Sequence, residues 1–466
     1  MSTASAKPVL LRQLGVVSAT ALVISSMIGV GIFGTTGFLA GDLGAPNLVL
    51  WIWVVGAVSA LLGAICYSEL GINLPSSGGE YVYLTRAYGA TWGFMSGWVS
   101  FFAGFSAPIA GAALAFADYL GHVCKACGEE HAHAIGSGNF ALQFGKQQLI
   151  ACTLVLFFTV LNLVGVQRVA RVQNVLTLAK VAILVIFIAF AFGAGHGNWQ
   201  NFSMTTTRTS PMPLSEQFAV SLFFIYLSYS GWNAATYVAE EIKHPARTLP
   251  LALAIGTGLV AALYLVLNVV FIYAMPLGEM KGEVAVGAVS AAHLFGPDVA
   301  TTFAALMALS LMATVNAQVI TGPRVYYAMA KNGAFLASAA KVHPRWHTPW
   351  VAIIAQGICT MLMTLTPFRD LVSYIGFTLS FFTAMGVASL FYFRRQPGWQ
   401  KLPIVSFCFP LIPILFLIPE VWIVIFGIQQ KPFISLATVI TMVTGALVYH
   451  FRLRSHSSPA PAVETY

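Results

Sequence analysis

Charge is scarce in this sequence of 466 residues, which holds 15 acidic and 23 basic side chains, or 8% charged. A soluble domain carries roughly 25%. So few charges cannot cover the surface of a water-soluble globule of this size, which excludes a soluble multidomain enzyme. The net charge of +8 is spread thinly along an apolar chain and makes no basic stripe, so neither a nucleic-acid binder nor a disordered tail protein fits. Cysteine is also scarce, with six residues, and Cys66, Cys152, Cys359 and Cys408 fall inside apolar runs where they read as packing residues. No small-residue cleavage site follows a short apolar stretch at the N-terminus, so the first apolar run is read as part of the protein and not as a removable signal. A His-rich helical motif and a matched carboxylate pair are missing from the apolar runs as well. Enzyme chemistry at the membrane therefore has nothing to work with, and no catalytic residue, resident metal or cofactor is expected.

What the sequence does have is hydrophobic length. Runs of about 20 apolar residues, enough to cross roughly 30 Å of hydrocarbon as a helix, recur along it. Twelve are expected, at 14–40, 47–71, 92–120, 147–165, 172–194, 215–240, 248–275, 299–330, 349–367, 370–393, 403–427 and 432–454. The fold class that follows is an all-α integral membrane protein, with residues 1–13 as a cytoplasmic segment and 455–466 as a disordered cytoplasmic tail. Lys and Arg accumulate in cytoplasmic loops. With both termini inside, 16 basic residues fall on the cytoplasmic side and six outside, while Lys180 lies within a span. A multi-pass protein of the inner (cytoplasmic) membrane is expected.

Two of the spans are interrupted. The first carries Gly29-Val30-Gly31-Ile32-Phe33-Gly34, and each Gly in a helix interior costs about 1 kcal/mol relative to Ala. The sixth carries Ser228-Tyr229-Ser230-Gly231, whose hydroxyls compete with the helical ladder for backbone groups. Unpaired backbone is tolerated in a membrane only against protein or a water-filled cavity. The two broken spans cross in opposite directions, the pattern of inverted repeats with a substrate site at their interface: 14–194 as the first half, 195–400 as the second, and 401–454 as two added helices. Close packing through small residues is the alternative reading of the first break. Amide donors at one half-helix suit a carboxylate and carbonyls at the other suit an ammonium, together a receptor for a zwitterion.

Several stretches resemble the amino acid-polyamine-organocation superfamily. They are Ser26 to Phe33, Leu74-Pro75-Ser76-Ser77-Gly78-Gly79-Glu80-Tyr81 after span 2, Gly165 to Asn174 before span 5, Tyr229-Ser230-Gly231-Trp232-Asn233 with Glu240 to Pro245, and Asn316 to Gly333 in span 8. The Gly-Trp-Asn version is similar to the L-type amino acid transporter branch and its bacterial relatives, over residues 14–400. The resemblance implies a five-plus-five inverted-repeat transporter working by alternating access. It implies a substrate site at Met27, Ile28, Gly29, Val30, Gly31, Leu227, Ser228, Ser230 and Gly231. The amides around Val30 and Gly31 would hold the carboxylate, and the carbonyls of Met27, Leu227 and Ser230 the amine. The family's aromatic gate falls at Leu227, a departure, and Tyr229, Trp232 and Phe377 are gating candidates, with bundle packing the alternative for each.

Lys180 lies about 12 Å along its span, where an ionisable group is costly and needs partners. The resemblance puts its ammonium in place of a sodium ion, bridging a carbonyl near Gly29 to a hydroxyl at Ser310 or Thr314; the alternative is a lysine that snorkels to the interface. Glu69, Asp118, Glu216, Glu240 and Glu241 lie near helix ends, and no acid is expected mid-membrane beside the breaks. A cationic side chain then lacks a counter-ion, which favours neutral L-amino acids, moved by sodium-independent exchange or uniport; a proton-coupled symporter of amino acids or polyamines is the alternative.

The loop after span 3 holds His122, Cys124, Cys127, His131 and His133, open to reduced cysteines, a Cys124–Cys127 disulfide or a zinc site. Related animal transporters pair with a glycoprotein through a cysteine in this region, but spacing alone implies no partner subunit here. Glu240, Glu241, Lys243 and Arg247 are candidates for an inner gate with Arg168, Arg171 or Arg324, or else a solvated loop, and residues 283–295 for a short external or re-entrant helix.

Overall fold

The computed structural model of the chain describes residues 10–124, 133–135, 142–283, 286–366, 368–430 and 432–453. The first apolar run divides into α1 (Val16–Met27) and α2 (Val30–Leu43), followed by α3 (Pro46–Asn73). A connector helix, α4 (Glu80–Tyr88), leads to α5 (Ala90–Val99), a π-helical stretch at Ser100–Ser106 and α6 (Ala107–Val123). A short antiparallel ladder, β1 (His133–Ile135) with β2 (Leu142–Phe144), lies in the loop before α7 (Lys146–Leu163) and α8 (Val166–Gly193). The sixth run divides into α9 (Leu214–Tyr229) and a 3-10 segment at Ala234–Glu241. Next come α10 (Pro245–Ala274), α11 (Leu277–Met280), α12 (Val286–Phe295) and the long α13 (Pro297–Lys331). The remainder is α14 (Trp350–Met363), α15 (Phe368–Phe393), α16 (Pro403–Phe407), α17 (Leu411–Gln430) and α18 (Pro432–Val448).

Among the described residues six helical stretches are long and apolar enough to cross a bilayer, and shorter apolar helices fall in other runs. α8 gives the physical logic. Its buried side is Gln173, Thr177, Lys180, Leu184 and Phe187, while Val175, Leu178, Ile186 and Phe190 are exposed. Polar groups face inward and apolar ones outward, the reverse of a soluble helix and the arrangement lipid demands. This is a multi-pass helical membrane protein.

Backbone punctuation fixes the helix ends. α3, α10 and α13 open on Pro46, Pro245 and Pro297, where the missing N–H costs nothing. α2 ends on Gly44, whose N–H returns to the Ala40 carbonyl at 3.1 Å. The short helix expected between the seventh and eighth spans is present as α12. The chain just before it covers α2, since Gly282 N donates to the Gly37 carbonyl at 3.0 Å. The expected tail at 455–466, and Cys127 and His131 of the loop cluster, lie outside the described residues.

Candidate functional site

Both interruptions expected from the sequence are present. Between α1 and α2, Ile28 (φ −72, ψ 95) and Gly29 (φ −133, ψ −151) leave helical geometry, and the N-terminus of α2 has no side-chain cap. After α9, Ser230 (φ −57, ψ 150) and Gly231 (φ 96) turn the chain before it resumes as the 3-10 segment. Gly231 needs its left-handed conformation, which other residues rarely adopt. The first break starts one residue before Gly29, at Ile28, and the second two residues after Ser228, at Ser230: Gly31 is already helical in α2, and Ser228 and Tyr229 still are in α9.

The two breaks are packed into each other. A Cβ on Gly31 would lie 2.6 Å from the Ser228 Cα, and one on Gly231 would lie 2.7 Å from the Ser26 carbonyl. Tyr264 of α10 stitches them, its hydroxyl lying 2.7 Å from the Met27 carbonyl and 3.2 Å from that of Ser228. Thr35 and Ser228 hydroxyls meet at 3.0 Å.

Lys180 is fully buried and does not snorkel. Its Nζ donates to the Ile28 carbonyl at 2.6 Å, to Thr314 Oγ1 at 2.7 Å and, more distantly, to the Ser25 carbonyl at 3.4 Å. Three acceptors match the three N–H bonds of an ammonium. Thr314 also donates to the Ile28 carbonyl at 2.7 Å, closing a triangle over the unwound backbone. Of the two candidate hydroxyls it is Thr314 that Lys180 contacts; Ser310, one turn earlier on α13, is buried but does not bond Lys180. Below the lysine a polar ladder runs along α8: Thr177 pairs with Ser25 at 2.7 Å, Gln173 accepts from Asn316 at 2.7 Å, and Asn162 donates to Asn316 at 2.9 Å.

Beside the breaks lies a cavity of about 70 Å³. Ser26, Leu227, Ser230, Gly231 and Trp232 line it from the broken helices, and Gly104 and Phe105 from the π-helical stretch. Pro108 lacks the N–H that would bond the Gly104 carbonyl, a local cause for that stretch. Ser380 and Thr383 of α15 and Glu420 of α17 complete another part of the wall. Glu420 corrects the expectation that no acid lies mid-membrane beside the breaks. It was legible as an acid in the apolar run 411–428, and an ionisable residue in such a run is by default functional.

Behind the cavity wall, whose lining includes Asn233 and Tyr237, buried acids tie the broken sixth helix down. Glu80 at the start of α4 accepts from Tyr67 at 2.9 Å and from Asn233 at 2.6 Å, and Asn233 also donates to the Tyr237 hydroxyl at 2.9 Å. Burial pushes the Glu80 carboxyl up, against the opposing pull of its donors. Glu241 pairs with Arg324 through Nε at 2.7 Å, both groups being essentially inaccessible to water. The Glu241 carbonyl accepts from the backbone N–H groups of Gln13 and Leu14, so the entry to α1 is strapped to the end of the 3-10 segment. Of the gate candidates, Glu241 and Arg324 are the two joined in a buried ion pair; Glu240 meets Lys331 only at 3.9 Å on a more exposed surface.

The remaining expected site residues divide. Leu227, Ser230 and Gly231 reach the cavity, as does Trp232, which packs edge-on against Tyr67. Tyr229 does not: its ring packs against Trp53 and Tyr264 and its hydroxyl donates to the Trp53 carbonyl at 3.1 Å, a bundle contact. The aromatic facing the cavity on that helix is Tyr226, anchored on Ser59 at 2.6 Å. Met27 and Ile28 present carbonyls already held by Tyr264 and Lys180, while Gly29 lies against Thr314 and Gly31 against Ser228, outside the cavity lining. The side chain of Phe377 lies outside the described residues. Tyr264 and Glu420 are the members the sequence reading missed.

The sequence profile of the family described as Amino acid permease matches residues 14–447. The serine/threonine exchanger SteT of Bacillus subtilis (strain 168) is 29% identical over 409 residues, covering 87% of this chain and 88% of that protein. Large neutral amino acids transporter small subunit 2 of Rattus norvegicus is 28% identical over 452 residues, 94% of this chain and 80% of that one. The b(0,+)-type amino acid transporter 1 of Homo sapiens is 28% identical over 452 residues, covering 94% and 87%.

Proposed function

From the premise that this chain belongs to the amino acid permease family, and is thus an amino acid transporter of the amino acid-polyamine-organocation superfamily and not an enzyme, we propose that it moves small L-amino acids by sodium-independent exchange; the expected restriction to neutral ones loses its ground with Glu420 in the cavity wall. The observation that carries this is the Lys180 ammonium on the Ile28 carbonyl and Thr314, which fills with a fixed cation the place a dissolved one would occupy. The uncapped amides of Val30 and Gly31, which stand beside the cavity and outside its lining in this structure, receive the substrate carboxylate when the two packed breaks part, with the helix dipole behind them. The turn at Ser230 and Gly231, on the cavity wall, receives the amine. A cavity of about 70 Å³ has room for on the order of six water-sized spheres, which suits a small amino acid. Leu227 in the cavity wall, where an aromatic gate would stand, fits the same size class. The relative named as a serine/threonine exchanger supports the same reading.

In this reading residues 14–194 and 195–400 are the two inverted repeats, 401–454 adds two helices, and both termini lie on the cytoplasmic side of the inner membrane. Alternating access works by breaking the Glu241–Arg324 strap on one side while the α12 region covers the other. Counterflow of labelled amino acids in proteoliposomes tests the proposal. Uptake should be accelerated by preloaded amino acid, independent of sodium and indifferent to an imposed pH gradient. Uptake that follows the proton gradient and ignores preloading would overturn exchange in favour of symport.

A further inference from the structure

The cavity contains a group that clasping the main-chain poles of an amino acid leaves idle. Glu420 is 3% exposed, lies in the interior of α17 and lines the cavity. Its Oε2 is fully buried and has no hydrogen-bond partner in the protein. The Ser380 hydroxyl sits beside the carboxyl. A buried acceptor left without a donor is costly to keep. A buried carboxyl that lines the cavity with one oxygen left unpaired by the protein is open to a hydrogen-bonding partner from outside it.

Ser26, Ser230 and Gly231 come from the interrupted helices, where the backbone is open, while Gln318 and Thr321 of α13, Ser380 and Thr383 of α15 and the acid Glu420 of α17 form other polar parts of the wall. With the main chain of an amino acid held at the interruptions, its side chain falls to the rest of the wall. We propose that Glu420 is the specificity-determining residue of this site: it accepts a hydrogen bond from a donor at the end of the substrate's side chain. The preferred substrates are therefore short amino acids ending in O–H or N–H, and not their aliphatic isosteres. The inference rests on the reading of this cavity as the transport site. A site built around a buried acceptor rejects an analogue lacking the donor far more strongly than an apolar pocket rejects an added hydroxyl.

The test is competition against labelled L-alanine counterflow in proteoliposomes, using isosteric pairs: threonine with valine, and 2,4-diaminobutyrate with norvaline. Wild-type protein should prefer at least one donor-bearing member by about tenfold or more; the threonine pair reports a hydroxyl, the diaminobutyrate pair an ammonium. Glu420→Gln keeps an acceptor oxygen without the charge, so a hydroxyl preference persists and an ammonium preference disappears. Glu420→Leu brings both ratios to within about twofold. Where turnover is lost in a variant, thermal stabilisation of the purified protein by the same four compounds reads the same ratios. Two results overturn the proposal: ratios near unity in the wild type, or a wild-type preference that survives Glu420→Leu. Absence of any amino acid counterflow in the wild type would instead remove the transport reading, a separate outcome.

Discussion

Lys180 brings its ammonium 2.6 Å from the carbonyl oxygen of Ile28, 152 positions earlier in the chain, and Thr314 closes the contact from a third helix. The carbonyl of a broken helix in a membrane needs donors, and these two side chains supply both. Lys180→Ala leaves the Ile28 carbonyl with Thr314 alone and removes the donor to Ser25. Expected are a loss of about 1–3 kcal/mol in stability and, because the break is no longer held in place, a fall of about tenfold or more in counterflow. Thr314→Val should act in the same direction and more weakly. Full turnover in purified, monodisperse Lys180→Ala would remove the lysine from the transport cycle.

Gly29 and Gly31 stand two residues apart and carry different constraints. A Cβ at Gly29 meets Thr314 Cγ2 at 3.6 Å, ordinary contact, whereas one at Gly31 runs into the backbone and hydroxyl of Ser228. Gly29→Ala should therefore transport close to the wild-type rate. Gly31→Ala should force the two interruptions apart, with a stability loss in the range of overpacked cores, about 1–3 kcal/mol, and a matching loss of transport. Parallel thermal melts and counterflow on the two variants decide it, and equal behaviour would contradict the packing described.

Glu241 and Arg324 form an ion pair that is almost completely buried. Removing one partner of such a pair typically costs about 3–5 kcal/mol, while replacing both with apolar residues is often neutral. Arg324→Met alone should lower the thermal midpoint sharply and loosen the strap between α1 and the 3-10 segment. Glu241→Leu with Arg324→Met should recover most of the stability yet leave transport impaired, since the pair can no longer open and reclose as charges. Recovery of full transport in the double variant would mean that the pair is structural only.

Much of this architecture was legible in the sequence because lipid forces a simple code. Length of apolar run gives the helices, and Gly29 to Gly34 and Ser228 to Gly231 betray the places where the ladder fails. Lys180 stands out because a lone charge in such a run demands partners. The finer content was not legible. Ser310 and Thr314 lie four residues apart on one face of α13, so spacing cannot separate them, and only the depth of Lys180 against Ile28 does. Tyr229 carries the expected chemistry but points into the bundle, because the turn begins at Ser230 and fixes the rotation of α9. Tyr264 joins both breaks from α10, a contact that depends on how helices cross and not on any local pattern. Glu420 was visible as an acid in an apolar run, but its relation to the breaks arises from α17 packing beside α9 and α3.

Glu80 offers a test of the connector helix that does not depend on transport. Its carboxyl accepts from Tyr67 and Asn233 yet is buried, and burial raises its pKa above the ordinary 4.5. A raised value in the folded state means that folding takes up a proton, so this group's contribution is fully present below the unfolded value and is lost as pH rises through the folded one. Unfolding midpoints of the detergent-solubilised protein should therefore fall as pH rises from about 4.5 toward that higher value. Glu80→Gln should flatten this part of the profile, because it keeps an acceptor for Asn233 without a proton to lose. An unchanged slope in Glu80→Gln would assign the pH dependence elsewhere and leave Glu80 as a simple hydrogen-bond acceptor.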